Sequence, residues 1–302
     1  MPASAFAAAL SLALIATATG GQTETLLVLD DWRTPQLLFL DPETLQPRNS
    51  IALSGHEALF GGIAADNEDV VYSIDGYQDQ FFDRTATINP LTGQVTIVGP
   101  TLDDWNFRTI SVDPTTNILY AATDNYPGSG GQLWTLDKQT GAATFITKIA
   151  GPGLDQLTAL GIGPDGTAYI TDYFGADLFT IDLHTGDATK LGTLGQPGNW
   201  FDDLAVNAAG ELFGSRTGGG FYRIRLDTMK EELLAPGFWR SFEFIGGDCY
   251  ADFNADAAAD LFDFLAYANA FIAGEFRADC DGSGSLDLFD FLCFTNSFNG
   301  AC

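Results

Sequence analysis

Acidic, amide and hydroxyl side chains recur at a fixed spacing near the C-terminal end of this chain. Asp252, Asn254, Asp256, Asp260 and Asp263 stand at positions 1, 3, 5, 9 and 12 of one segment; Asp279, Asp281, Ser283, Asp287 and Asp290 stand at the same positions of a second, 27 residues later. A hard cation such as Ca2+ takes up oxygen donors at this spacing on a tight loop, with a backbone carbonyl at position 7, here Ala258 and Ser285. The two segments predict two Ca2+ sites. At position 6 the sharp turn favours Gly, and the first segment has Ala257 where the second has Gly284; a side chain in that backbone region costs on the order of 1 kcal/mol, so the second loop is predicted to bind more tightly.

A second set of polar residues recurs through the body of the chain. Aligned repeats place Asp30, Asp75, Asp124, Asp172 and Arg216 at one equivalent position, and Gly61, Arg108, Thr158, Asp202 and Arg240 at another. Trp32, Tyr77, Trp105, Tyr126, Tyr173 and Trp200 lie nearby. Flat aromatic rings beside carboxylates and guanidinium groups suit a polar ligand with apolar faces, such as a carbohydrate. The same Asp residues also read as strand-end turn caps, and both readings stand at this point. Catalytic chemistry has less to work with: the two histidines are His56 and His184, and His184 falls in a Thr-Gly turn, which leaves no Ser-His-Asp arrangement. Separated carboxylates would serve glycoside hydrolysis, so a glycosidase or lactonase is the alternative to a non-catalytic function.

Each acidic loop runs into a matching apolar-periodic segment, Leu261 to Phe271 and Leu288 to Phe298, which predicts a pair of helices packed face to face. Duplicated loops of the form D-x-[ND]-x-[DS]-x-x-x-D-x-x-D, each leading into one helix, resemble the paired half EF-hands of a dockerin module. The repeated LFDFL block and the terminal cysteine are similar, more narrowly, to GC-type dockerin-like anchoring domains. The resemblance covers 248–302 and implies a calcium-stabilised anchor for a cohesin-like or cell-surface receptor protein. All four cysteines lie here. Of three possible pairings, Cys249 with Cys302 and Cys280 with Cys293 are preferred, the first tying the ends of the module and the second tying loop two to its helix. No C-x-x-C pair is present to build a zinc site.

The body, 22–246, is a longer repeat whose unit ends in a hairpin of the form L-h-x-h-D-x-x-T-G. Its turn Asp or Asn falls at 41, 89, 137, 182 and 227. Four short alternating strands in each interval of about 45 residues predict an all-β propeller of about five four-stranded blades. The first unit lacks its opening strand, and Ser241 to Ile245 aligns with it, so the last segment is expected to close the ring. The pattern is similar to secreted propellers of the LxTIDPxTG repeat type, a likeness of fold that carries no activity. On this topology both aligned polar sets fall on one face, around the mouth of the central channel.

The domain boundaries are therefore 1–20, 22–246 and 248–302. The first reads as a secretory signal peptide, since its apolar run from Ala5 to Ala18 is short for a bilayer and ends in small residues. A secreted or cell-surface location and disulfides follow from that reading. With 40 acidic against 13 basic residues the net charge is −27, which argues against nucleic acid and anionic membrane as partners, and no later run is long enough for a membrane span.

Overall fold

The computed structural model describes residues 24–300, apart from 31–34, 56–58, 68–69, 78–79, 101, 104–106, 125–129, 175, 197, 217–218, 238–239, 247–252, 254–260 and 282. The expected signal peptide and nearly all of the first acidic loop lie outside the described residues.

Five antiparallel sheets follow one another along the chain. Blade one pairs β1 (Thr25–Asp30), β2 (Gln36–Leu40) and β3 (Pro47–Ala52) with the last strand, β21 (Ser241–Ile245). Blade two contains β4 (Leu59–Ala65), β5 (Val71–Tyr77), β6 (Gln80–Ile88) and β7 (Val95–Ile97), and the short β8 (Leu102–Asp103) also pairs with β6. Blade three contains β9 (Phe107–Asp113), β10 (Ile118–Asp124), β11 (Gly131–Leu136) and β12 (Ala143–Ile149). Blade four contains β13 (Leu157–Ile162), β14 (Ala168–Asp172), β15 (Asp177–Ile181) and β16 (Ala188–Thr193). Blade five contains β17 (Asp203–Val206), β18 (Leu212–Arg216), β19 (Gly220–Arg225) and β20 (Lys230–Ala235).

The strands β21, β4, β9, β13 and β17 neighbour one another around the axis, so the sheets form a closed five-bladed ring. β21 lies antiparallel to β1 with Val28 opposite Phe242, and supplies the inner strand that the first repeat lacks. Alternation puts one face of each sheet against the next blade. The resulting cores are wedges shared by successive blades: Phe39 and Ile63 between blades one and two, Leu133 and Phe179 between three and four, Phe213 and Phe242 between five and one.

The turns join these wedges at the rim. Asp41, Asn89, Asp137 and Asp182 each accept backbone N–H bonds from residues two and three positions on, at 2.7 to 3.1 Å. The residue closing each turn has a left-handed backbone: Leu45, Gly93, Gly141, Gly186 and Met229. At Gly141 a Cβ would lie 1.6 Å from the Val98 carbonyl oxygen of the preceding blade, so only glycine fits. Leu45 and Met229 instead send their side chains into the interblade cores.

After the ring come α1 (Leu261–Ala273), a 3-10 turn (Phe276–Ala278) and α2 (Leu288–Gly300). Residues at equivalent places in the two acidic repeats pack on each other: Tyr267 stacks on Phe294 with ring centroids 4.0 Å apart, and Phe264 meets Phe291 edge-on at 5.9 Å. Phe276, between the helices, packs into the blade-one wedge with its ring 5.9 Å from that of Phe39.

Candidate functional site: an acidic loop and an aromatic propeller face

The second acidic loop folds around its own carboxylates. Asp279 and Asp290 are buried and Asp281 is exposed, and one oxygen of each lies within 4.8 Å of the others. Asp279 accepts N–H bonds from Ser283 and Gly284 at 3.0 and 2.6 Å, and Asp290 accepts from Asp281 and Asp287 at 3.3 and 2.7 Å. Gly284 is left-handed, as the sixth position requires. The Ser285 carbonyl accepts from the Ser283 hydroxyl at 3.2 Å.

Burial pushes Asp279 up to about 8, and the neighbouring carboxylates of Asp290 and Asp281 push the same way. Asp290 also moves up, again chiefly through burial. Carboxylates held this close resist ionisation until a positive charge joins them. An all-oxygen donor set of Asp279, Asp281, Asp290, Ser283 and the Ser285 carbonyl fits Ca2+. Asp287 does not converge with them, because its carboxylate takes the Phe289 N–H at 2.7 Å and caps α2.

In loop one, Asp263 is buried in the first turn of α1, while Asp252, Asn254, Asp256, Ala258 and Asp260 lie outside the described residues. Cys280 and Cys293 form a disulfide with an S–S length of 2.01 Å; Cys249 and Cys302 lie outside the described residues.

On the propeller, Asp30, Asp75, Asp124, Asp172 and Arg216 stand at or near the ends of second strands, and the structure gives each described side chain a nearby partner. Asp75 is buried and ion-paired with Arg84. Asp124 pairs with Arg108 at 2.8 Å, at a place where Arg108 is exposed. Asp172 is buried and takes the Asp177 N–H at 2.8 Å. Arg216 is buried and forms a two-pronged ion pair with Glu231, while its Nε donates to the Asn199 carbonyl at 3.0 Å. Its guanidinium lies over the Phe201 and Tyr222 rings, 3.9 and 4.7 Å from their centroids. Of the two readings open at these positions, the contacts of Asp75, Asp172 and Arg216 are those of strand-end anchors. The side chain of Asp30, and Trp105 altogether, lie outside the described residues.

Asp202 and Trp200 remain together at the surface, the indole Nε1 donating to Asp202 at 3.3 Å. Arg240, half-buried, accepts at its carbonyl from the Ser215 hydroxyl at 3.1 Å.

Three propeller acids that the sequence reading passed over are raised by burial. Asp83 accepts the Phe107 N–H at 2.7 Å, and burial pushes it up to about 6 against the pull of that bond and of Arg108. Asp203 is buried and bridges two inner strands, accepting from Leu204 and from Phe242 at 3.0 Å each, and burial holds it well above the carboxylate range. Burial raises Glu243 to about 8, while the N–H groups of Phe244 and Ala65 donate to it. The Asp-Asp pair at 202–203 was the available signal, since strand alternation must turn one of the two inward.

Comparison with known proteins adds a family and a fold. The family described as "Repeat of unknown function (DUF6923)" matches residues 83–242. No curated protein matches. Among solved structures, one from the nidogen/laminin complex is 14% identical, with a TM-score of 0.51 over 75% of this chain and 100% of that one, a likeness of fold alone. TolB from Acinetobacter baumannii is 15% identical over 72% of this chain and 54% of that one, TM-score 0.46. A gluconolactonase from Xanthomonas campestris is 13% identical over 76% and 85%, TM-score 0.44.

Proposed function

We propose a function from the residues themselves, because this chain belongs to the DUF6923 repeat family, whose description assigns none. The chain is an exported recognition or scaffold propeller, held to a cohesin-like or cell-surface receptor by a dockerin-like C-terminal module that takes up Ca2+. Asp279, Asp281, Asp290, Ser283 and the Ser285 carbonyl would hold the ion in loop two, which supplies the positive charge that lets these carboxylates sit together.

The observation that carries this reading is a duplicated apolar surface. Leu261, Phe262 and Leu265 on α1, and their counterparts Leu288, Phe289 and Leu292 on α2, are between 49 and 70% exposed. Large apolar side chains left in water at matching places of both repeats mark a surface built for a partner. Phe264, Tyr267, Phe291 and Phe294 of the same helices pack on one another instead, so the exposed set is not required for the helix pair to fold.

The test is binding of the full chain to a cohesin-type receptor domain, in calcium and in chelator. Native protein is expected to bind in calcium only. Phe262→Asp together with Phe289→Asp should abolish binding without changing the melting temperature. Binding that survives the double change overturns the assignment of this surface. Release of sugars from a polysaccharide by the native chain would favour the glycosidase alternative instead.

A further inference from the structure

Arg216 breaks the acidic series at the ends of second strands, and the structure shows what the change of sign does. A buried guanidinium is costly unless it is fully paired. Here Glu231 pairs it from the outer strand of blade five, and it donates to the carbonyl of Asn199. It therefore pins the connection between β16 and β17, and this connection carries Trp200. Asp202 fixes the same segment a second time, its own N–H donating to the Ser215 carbonyl at 2.8 Å while its carboxylate takes the indole N–H.

Held in this way, Trp200 stacks on Tyr173 of the neighbouring blade, with centroids 4.0 Å apart and planes 24° from parallel. Tyr173 is fixed by its N–H bond to the Gln156 carbonyl at 2.8 Å, and Phe174 meets it edge-on at 4.8 Å while remaining 51% exposed. The result is a rigid aromatic platform across the junction of blades four and five, with the Asp202 carboxylate and the exposed Asn199 at its edge.

We propose that this platform binds a pyranose ring of a neutral polysaccharide. The C–H face of the sugar stacks on the aromatic surface, and its hydroxyls donate to Asp202 and bond with the Asn199 amide. Both needs of a sugar, an apolar plane and acceptors at its rim, are met within one pinned segment, and pre-organisation removes the cost of ordering it on binding. The net charge of −27 disfavours acidic polysaccharides. The proposal rests on reading the propeller as a recognition module and names its ligand class.

The test is affinity electrophoresis of the full chain through gels holding neutral glucan, mannan, galactan or xylan, or polygalacturonate, each run with calcium and with chelator. At least one neutral polymer should retard the native chain equally in both conditions, and polygalacturonate should not. Trp200→Ala and Tyr173→Ala should each weaken retardation about tenfold, the loss of one stacking partner. Phe145→Ala, an exposed ring on the rim of blade three, should leave retardation unchanged. The two platform variants come from different blades, so the test stands if melting curves show that one misfolds. No retardation by any neutral polymer, or equal retardation of Trp200→Ala, overturns the proposal and leaves the calcium anchor untouched. Retardation that vanishes in chelator places binding on the C-terminal module and overturns it as well.

Discussion

At the scale of single residues, the upper propeller face separates into charges that hold the fold and rings that face outward. Arg216 and Asp124 occupy equivalent strand ends, yet their surroundings differ. The Arg216 side chain is buried against Glu231, whereas Asp124 pairs with an exposed Arg108. Breaking a buried pair strands a charge, at about 3–5 kcal/mol, while an exposed pair contributes about 0–1 kcal/mol. Arg216→Ala is therefore expected to lower the denaturant midpoint strongly, and Asp124→Asn hardly at all. Equal effects in urea titrations would contradict the distinction. The aligned positions were readable from the repeat, but their partners were not. Arg84 and Glu231 lie on third and fourth strands, and only strand register brings them to Asp75 and Arg216. Conversely, Asp203 and Glu243 read as ordinary strand polar residues until closure of the ring buries Asp203 and half-buries Glu243.

Among the elements, the turns and the outer strands carry most of the logic that closes the ring. Four of the five turns were legible because Asp or Asn followed three residues on by Thr has a local mechanism, side-chain acceptance of two N–H groups. In blade five the pattern fades, with Thr228-Met229 in place of Thr-Gly, but the left-handed bend persists at Met229. Gly141→Ala combines a strained backbone with a collision against Val98, and should cost about 2 kcal/mol or more. Thermal melting checks this, and an unchanged midpoint would mean that the blade-two and blade-three rims are not in contact.

The outer strands showed no equivalent signal. Their register shifts beside the third strand in blades one, three, four and five, where Arg48, Ile146, Leu191 and Leu234 are the extra residues. Such bulges blunt exposed edges against further pairing. They depend on backbone geometry that alternation of residue types does not encode.

For the molecule as a whole, two features act at ring closure. The inner strand of each blade has one edge without a sheet neighbour, and its N–H groups must find acceptors. Between blades three and four the acceptors are neutral hydroxyls, Thr109 to Leu160 and Ser111 to Ile162. On either side of the closing strand they are carboxyls, Asp203 to Phe242 and Glu243 to Ala65. A carboxyl raised from 4.5 to about 8 favours the folded state most below the unfolded value, and that contribution is lost as pH rises through about 8. Native protein should accordingly lose melting temperature between about pH 5 and about pH 9, and Glu243→Gln should flatten the loss. A pH profile identical to the native one would remove Glu243 from the groups that stabilise ring closure.

The second feature is the C-terminal module, which docks through Phe276 on blade one, the same blade that β21 completes. The central proposal for it is calcium uptake, and differential scanning calorimetry of the full chain, in chelator and then with added Ca2+, tests that most directly. Calcium should raise a melting transition of the native chain, and Asp279→Asn with Asp290→Asn should greatly reduce that rise. Identical thermograms of the native chain with and without calcium would contradict the account.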